Sequence, residues 1–272
     1  MKREIALVGD ESAIEKGLSP LVLHSTQEGY RIEKPQQIPH PFIQIGGTNH
    51  PKLLISRHNI GFKQGYDDRL EQATQKLGLN LTNTREHLDG VNFIGNINRD
   101  QALSLNEALG NFTIPIVYFK ELLTNLRLGI DGKPIYDQDG KPIDQKILQS
   151  TYEDITKQTD PYRAQWFNDK FEEISGQLHH IYTAFVDGKL QEVNEPSEDY
   201  SDENRGISLD AWLKDPHILP RKDIESGKLY FWCPFDSSVA WFFANSIRVV
   251  LSCDTFPAIT DSGLGVRATR LK

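Results

Sequence analysis

Half of the residues between Tyr230 and Phe243 are aromatic: Tyr230, Phe231, Trp232, Phe235, Trp241, Phe242 and Phe243 fill seven of fourteen positions. Across the chain the aromatic fraction is only 10%. Each such ring carries a large apolar area. A fold must therefore bury this density in a core or expose part of it as a surface that grips something. The next segment, "NSIRVVLSCDTFP", has the alternation of a strand. Arg248, Val250 and Ser252 would share one face, and Ile247, Val249 and Leu251 the other. Apolar residues on both faces mean either burial on both sides or one face open to a ligand.

The 272 residues are 38% hydrophobic and 25% charged, which is ordinary for globular chains. A net charge of -8 argues against nucleic acid or an anionic membrane as partner, since both require clustered Lys and Arg. The start, "MKREIALVGDES", has too short an apolar run for a secretory signal, and nothing approaches a membrane span. The expectation is no direct membrane insertion, with localisation open between cytoplasmic synthesis and display on a cell or particle. Cys233 and Cys253 do not make a disulfide framework. They could be a bridge, a metal pair, a reactive thiol or two small buried residues in neighbouring strands.

Along the chain, residues 1–40 are expected to be irregular. "IALVG" offers a short strand, but Pro35, Pro39 and Pro41 break the chain beyond it. "PFIQIGG" and "KLLISRHNIGF" read as two strands. Helices are expected over residues 67–77, 100–109 and 115–128, each followed by a glycine stop. The twice-occurring "DGKPI" reads as Asp-Gly turns around a short hairpin-like loop, not as a calcium loop. Residues 161–174, with Trp166, Phe167 and Phe171, read as an amphipathic helix. "QLHHIYTAFVDGKLQEVNE" reads as a hairpin around Asp187 and Gly188, "EPSEDYSDENRG" as an acidic loop, and "SLDAWL" as a short helix capped by Ser208. Strands, then helices, then strands indicate an α+β fold rather than a βαβ parallel sheet.

Catalytic motifs are not found. "GLGVRA" formally matches a dinucleotide fingerprint, but seven residues come after Gly265 in this sequence, too few for the helix such a motif opens. His179 and His180 are adjacent in an expected strand, so they point to opposite faces and cannot share a metal. No catalytic residue, metal ligand or cofactor is assigned.

"SGKLYFWCP", "VAWFFANSIRVVLSCDTFP" and the closing "LGVRATR" resemble the C-terminal part of C-type-lectin-fold proteins of the formylglycine-generating type. Within that group they are similar to the variable proteins of diversity-generating retroelements, the archaeal ones in particular. The resemblance covers about residues 207–270. It implies a C-type lectin-like domain over residues 41–272, α+β with helices packed on small mixed or antiparallel sheets, and a last strand paired with residues 42–45. It also implies a non-catalytic, adhesin-like display protein whose hypervariable region, about residues 230–264, is rewritten to bind varied macromolecular ligands.

On that resemblance the variable ligand-binding residues are Phe235, Asp236, Ser237, Ser238, Phe243, Ile247, Val249, Leu251, Asp254, Phe256, Ile259 and Asp261. Trp232, Trp241, Arg248, Pro257, Gly265 and Arg267 are then scaffold. Two alternatives stay open: a formylglycine-generating-type oxidase, which would need Cys233 and Cys253 to converge on one metal, and a viral or prophage adhesin with a fixed surface. Calcium-dependent sugar binding is not supported, because "NEP" stands in the wrong order and "WFND" falls in an expected helix.

Overall fold

The structure, a computed structural model, describes residues 22–26, 29–33, 41–48, 50–62, 68–79, 84–86, 88–197 and 200–272. The strand expected over residues 5–9 and the first prolines lie outside them. Within the stretch expected to be irregular, β1 (Val22–Thr26) and β2 (Gly29–Glu33) pair as an antiparallel hairpin. Val, Ile and Tyr in these segments favour extended backbone, and Gly29 stands at the turn.

The body is an eleven-stranded mixed sheet, with five helices among the described residues. From one edge the sheet runs β12 (Arg205–Ile207), β13 (Leu229–Trp232), β15 (Val249–Thr255), β14 (Ser238–Ala244) and β9 (Arg163–Ile174). It continues through β16 (Leu264–Leu271) and β4 (Leu53–Asn59) to β3 (Phe42–Ile45). β10 (Gln177–Val186) and β11 (Lys189–Pro196) extend it from β9 as the expected hairpin, and β8 (Phe112–Thr113) pairs with β16. A smaller sheet joins β5 (Gly61–Phe62), β7 (Asn92–Ile94) and β6 (Thr84–Glu86).

Residues 161–174 form strand β9, not a helix. Trp166 and Phe167 are neighbours, both completely buried, yet they belong to different cores. A central strand covered on both faces carries apolar residues on both, so the period of two that would betray it disappears.

The expected helices are present as α1 (Asp68–Lys76), α2 (Arg99–Ala108), α3 (Ile116–Ile130) and α5 (Leu209–Lys214). Ser208 caps α5 by accepting the Ala211 N–H at 3.2 Å. A further helix, α4 (Gln145–Thr156), lies beyond those expectations. Asp144 caps it through the Lys146 N–H, and Leu148, Thr151 and Ile155 form its buried stripe.

The sheet separates two cores. The first, beneath α3, α4 and α5, contains Phe119, Phe167, Trp212, Phe231, Phe242 and Leu251. The second, beneath α1 and α2, contains Leu70, Leu105, Trp166, Phe243, Val250 and Leu264. The closing strand β16 does not pair with residues 42–45, as the resemblance implied. It runs parallel to β9 on one side and antiparallel to β4 on the other, and β3 lies one strand further out. Gly265 permits this insertion, because a Cβ there would lie 2.9 Å from Asn59 Nδ2 and 3.0 Å from the Ile94 carbonyl oxygen.

Arg267 is buried at this junction, where its Nε donates to Gln165 Oε1 and its Nη1 to the Ser56 carbonyl, both at 2.8 Å. Burial lowers its pKa to about 10. Arg267→Leu strands these acceptors. We expect a loss of about 2–4 kcal/mol, read as a lower urea midpoint at unchanged slope.

Candidate ligand-binding surface

The twelve residues assigned to the variable surface divide by burial. Ile247 is 75% exposed, Phe256 57%, Ile259 40% and Phe235 39%. Asp236 and Ser237 are exposed, and Asp254 and Asp261 are half-buried. Ser238, Phe243, Val249 and Leu251 are buried, which corrects their assignment. Val249 and Leu251 point into the first core, Phe243 into the second. Ser238 is a turn lock: its Oγ accepts the Phe235 N–H at 3.1 Å and sits within bonding range of the Phe235 and Cys253 carbonyls.

Within β15 both phases are buried, Val249 and Leu251 towards the first core and Val250 towards the second, and the partly open face is carried by the neighbouring strands β13 and β14. Along β13, Leu229 and Phe231 are buried, whereas Tyr230 is 41% exposed and Trp232 half-buried. Sheet register places Tyr230 beside Val250 and Trp232 beside Ser252, with Trp241 and Phe243 of β14 on the other side of β15. Trp241 is half-buried as well. An irregularity in β14 between Val239 and Trp241 helps to set this phase, and no spacing rule marks it beforehand.

These side chains form an aromatic shelf over the second core. Trp241 stacks on the buried Trp166 with ring centroids 5.7 Å apart and lies 5.1 Å from Phe243, which in turn meets Trp232 at 5.6 Å. Tyr162 closes the inner side, edge-on to both Trp241 and Phe243. Burial and the Asp261 carboxylate raise its phenol pKa well above the ordinary value. On the outer side the Arg248 guanidinium lies 5.0 Å over Trp232 and 5.6 Å over Tyr230. Trp241 Nε1 donates to Ser252 Oγ, which donates to Asp254 Oδ1 at 2.7 Å. Arg248, Trp232 and Trp241, assigned to scaffold, thus border the open face.

Three turns carry the exposed residues. Asn245 Oδ1 accepts the N–H groups of Ile247 and Arg248 at 2.9 and 2.8 Å and shapes the turn that presents Ile247. Phe235 and Phe256 meet edge-to-face at 5.4 Å across two loops. The loop carrying Phe256 and Ile259 is tied to the start of α2, where Arg99 N–H donates to the Pro257 carbonyl at 3.1 Å and Asn96 N–H to that of Asp261 at 2.8 Å. Asp236 Oδ1 accepts the Glu173 N–H at 2.7 Å.

Cys233 and Cys253 are free thiols. Burial pushes both thiol pKa values up, and Cys253 has no exposed surface. Among the described residues no group of three or more His, Cys, Asp and Glu is arranged to hold a metal ion, and no helix is long and apolar enough to cross a membrane. His179 and His180 do diverge: His179 meets Asn194 at 2.6 Å, while His180 is buried against Asp169. No known family matches this chain, and comparison with curated proteins and with solved structures returns no match.

Phe243→Ala would open a cavity in the second core and should cost about 3 kcal/mol. Ile247→Ala and Phe256→Ala should stay within about 0.5 kcal/mol of the parent, since they remove exposed side chains. Thermal or urea unfolding of the three variants separates the cases, and similar losses in all three would refute this division of the tail.

Proposed function

We propose that this chain is a non-catalytic binding protein that holds a macromolecular ligand on the aromatic shelf and its three flanking turns, within a C-type lectin-like domain diversified by a retroelement. The observation that carries the proposal is the exposure of Tyr230, Phe235, Ile247, Phe256 and Ile259, all from one short C-terminal stretch, on β13 and on the turns at the two ends of β14 and β15. Large rings with few rotatable bonds give much contact area for little lost entropy, which is why they dominate binding hot spots. A strand framework with exposed turns gives such a surface a fixed geometry while its side chains change.

The membership of the surface follows exposure rather than the family pattern alone. Phe235, Asp236, Ser237, Ile247, Asp254, Phe256, Ile259 and Asp261 are retained, Tyr230 is added, and Ser238, Phe243, Val249 and Leu251 belong to the framework. The test is sequencing of the 3′ part of this gene across its source population. Substitutions should concentrate at codons for Tyr230, Ile247 and Phe256, while Phe231, Leu251 and Arg267 stay fixed. An invariant tail would sink the retroelement reading and leave a dedicated, fixed surface.

A further inference from the structure

At the sheet edge away from β13, the turn between β3 and β4 is fastened to α3 through the side chain of Glu121. Ile45 and Leu53 close the strand pair, and the chain leaves β3 through Gly46 and Gly47, with φ of 78° and 100°. Glu121 reaches this turn with both carboxyl oxygens. Its Oε1 accepts the Gly46 N–H at 2.8 Å, and its Oε2 lies 2.7 Å from His50 Nε2. The other ring nitrogen of His50, Nδ1, lies 2.7 Å from the Pro51 carbonyl oxygen.

The seat of this ring is built for it. Tyr118, on the same helix as Glu121, holds its ring centroid 4.6 Å from that of His50. Only glycine fits at position 46, because a Cβ there would lie 2.6 Å from His50 Nδ1 and 2.8 Å from the Pro51 carbonyl oxygen. The His50 side chain is left 9% exposed.

Hydrogen-bond chemistry fixes how many protons the contact holds. A carbonyl oxygen only accepts, so Nδ1 carries a hydrogen. The contact between Nε2 and Oε2 needs one more. That proton can sit on either atom, as imidazolium beside carboxylate or as neutral imidazole beside carboxylic acid, and both arrangements hold the same number. Removing it sets an imidazole lone pair against a carboxylate oxygen, and the bond between turn and helix is lost.

Burial by itself lowers the imidazole pKa, but the hydrogen bonds to Glu121 and to the Pro51 carbonyl, with the Glu121 charge, outweigh it and leave the value above the ordinary 6.5. A folded value above the unfolded one means that the contact contributes in full below the ordinary value and is lost as pH rises through the folded one. The other ionisable groups near the ring are few. Tyr118 accepts the Phe185 N–H at 2.7 Å on its hydroxyl, and burial and the Glu121 charge raise its phenol pKa. β3 carries no ionisable side chain. The loop across β3 contributes Asp137, whose Oδ1 accepts the N–H groups of Asp139 and Lys141 at 2.9 and 2.8 Å. Lys52 lies along Gly47, and Lys272 joins it by donating its N–H to the Lys52 carbonyl at 3.0 Å and its Nζ to Gln44 Oε1 at 2.6 Å.

We propose that His50 and Glu121 form a pH-sensitive latch, which holds the β3–β4 turn on α3 in mildly acidic solution and releases it as pH rises. Release uncovers Tyr118, a buried member of the first core. The latch is independent of the aromatic shelf and of what that surface binds.

NMR of the full chain from about pH 5.5 to about pH 9 tests this, reading the His50 ring titration and the exchange protection of the Gly46 amide. His50→Gln identifies the ring signal. His50 should titrate above its ordinary value, and Gly46 protection, corrected for the intrinsic rate, should fall about tenfold as the ring loses its proton. Amides inside β4 should hold throughout. Glu121→Gln offers an amide oxygen to the Gly46 N–H and an amide N–H to Nε2 of the neutral ring, so it closes the turn without the titrating proton. That variant should keep Gly46 protected at the alkaline end and bring the His50 titration to its ordinary value or below. The parent's profile is a test by itself should the variant fail to fold. Gly46 protection that stays level across the range in the parent, or that falls in Glu121→Gln as it does in the parent, overturns the proposal.

Discussion

The whole sheet depends on the insertion of β16 between β9 and β4. One strand of eight residues receives a parallel neighbour on one side and an antiparallel neighbour on the other, so it joins segments separated by more than a hundred residues. Arg267 locks that seam from inside, bonded to Gln165 on β9 and to the Ser56 carbonyl on β4. A buried guanidinium is an expensive choice for a seam, because every donor left unpaired there costs desolvation energy. It fixes register in return: a slip of one residue would carry it to the opposite face. Pairing over such sequence distance gives the fold many non-local contacts, a topology that folds slowly.

Much of this is legible from composition and spacing. The hairpin at Asp187 and Gly188, the pair of strands near residues 42 and 53, and the helix capped by Ser208 all announce themselves through turn chemistry or capping. Burial on both sides hides the strand over residues 161–174, because adjacent Trp166 and Phe167 erase its period. The helix over Gln145–Thr156 has its signals, an Asp cap and apolar residues spaced to fall on one face, in a segment whose polar composition and neighbouring Asp-Gly turns mask them. For the tail, alternation is visible but phase is not. Whether Val250 or Leu251 faces the first core is settled by α3 and α5 packing from far away in sequence, together with an irregular β14.

The two sides of the sheet end up with different chemistry. On the shelf side, stacked indoles and an overlying guanidinium make a broad, mostly apolar platform whose polar handles are few and shared. On the other side, a histidine held by a buried carboxylate and a glutamate beside a phenol make a more polar recess. The common element is β9, which carries Trp166 towards one and Asp169 towards the other. A strand whose sequence reads as an amphipathic helix is thus the wall between both.

The loop that bears Phe256 and Ile259 is fastened through main-chain atoms: Arg99 N–H to the Pro257 carbonyl, Asn96 N–H to the Asp261 carbonyl, and Ile259 N–H to the Phe256 carbonyl. Its conformation is written in amides and carbonyls, which nearly every residue type supplies alike. The side chains standing on it are passengers on that backbone rather than struts within it. A rewrite of Phe256 or Ile259 would change what the loop touches without changing where the loop is, so novelty and stability are uncoupled at those positions.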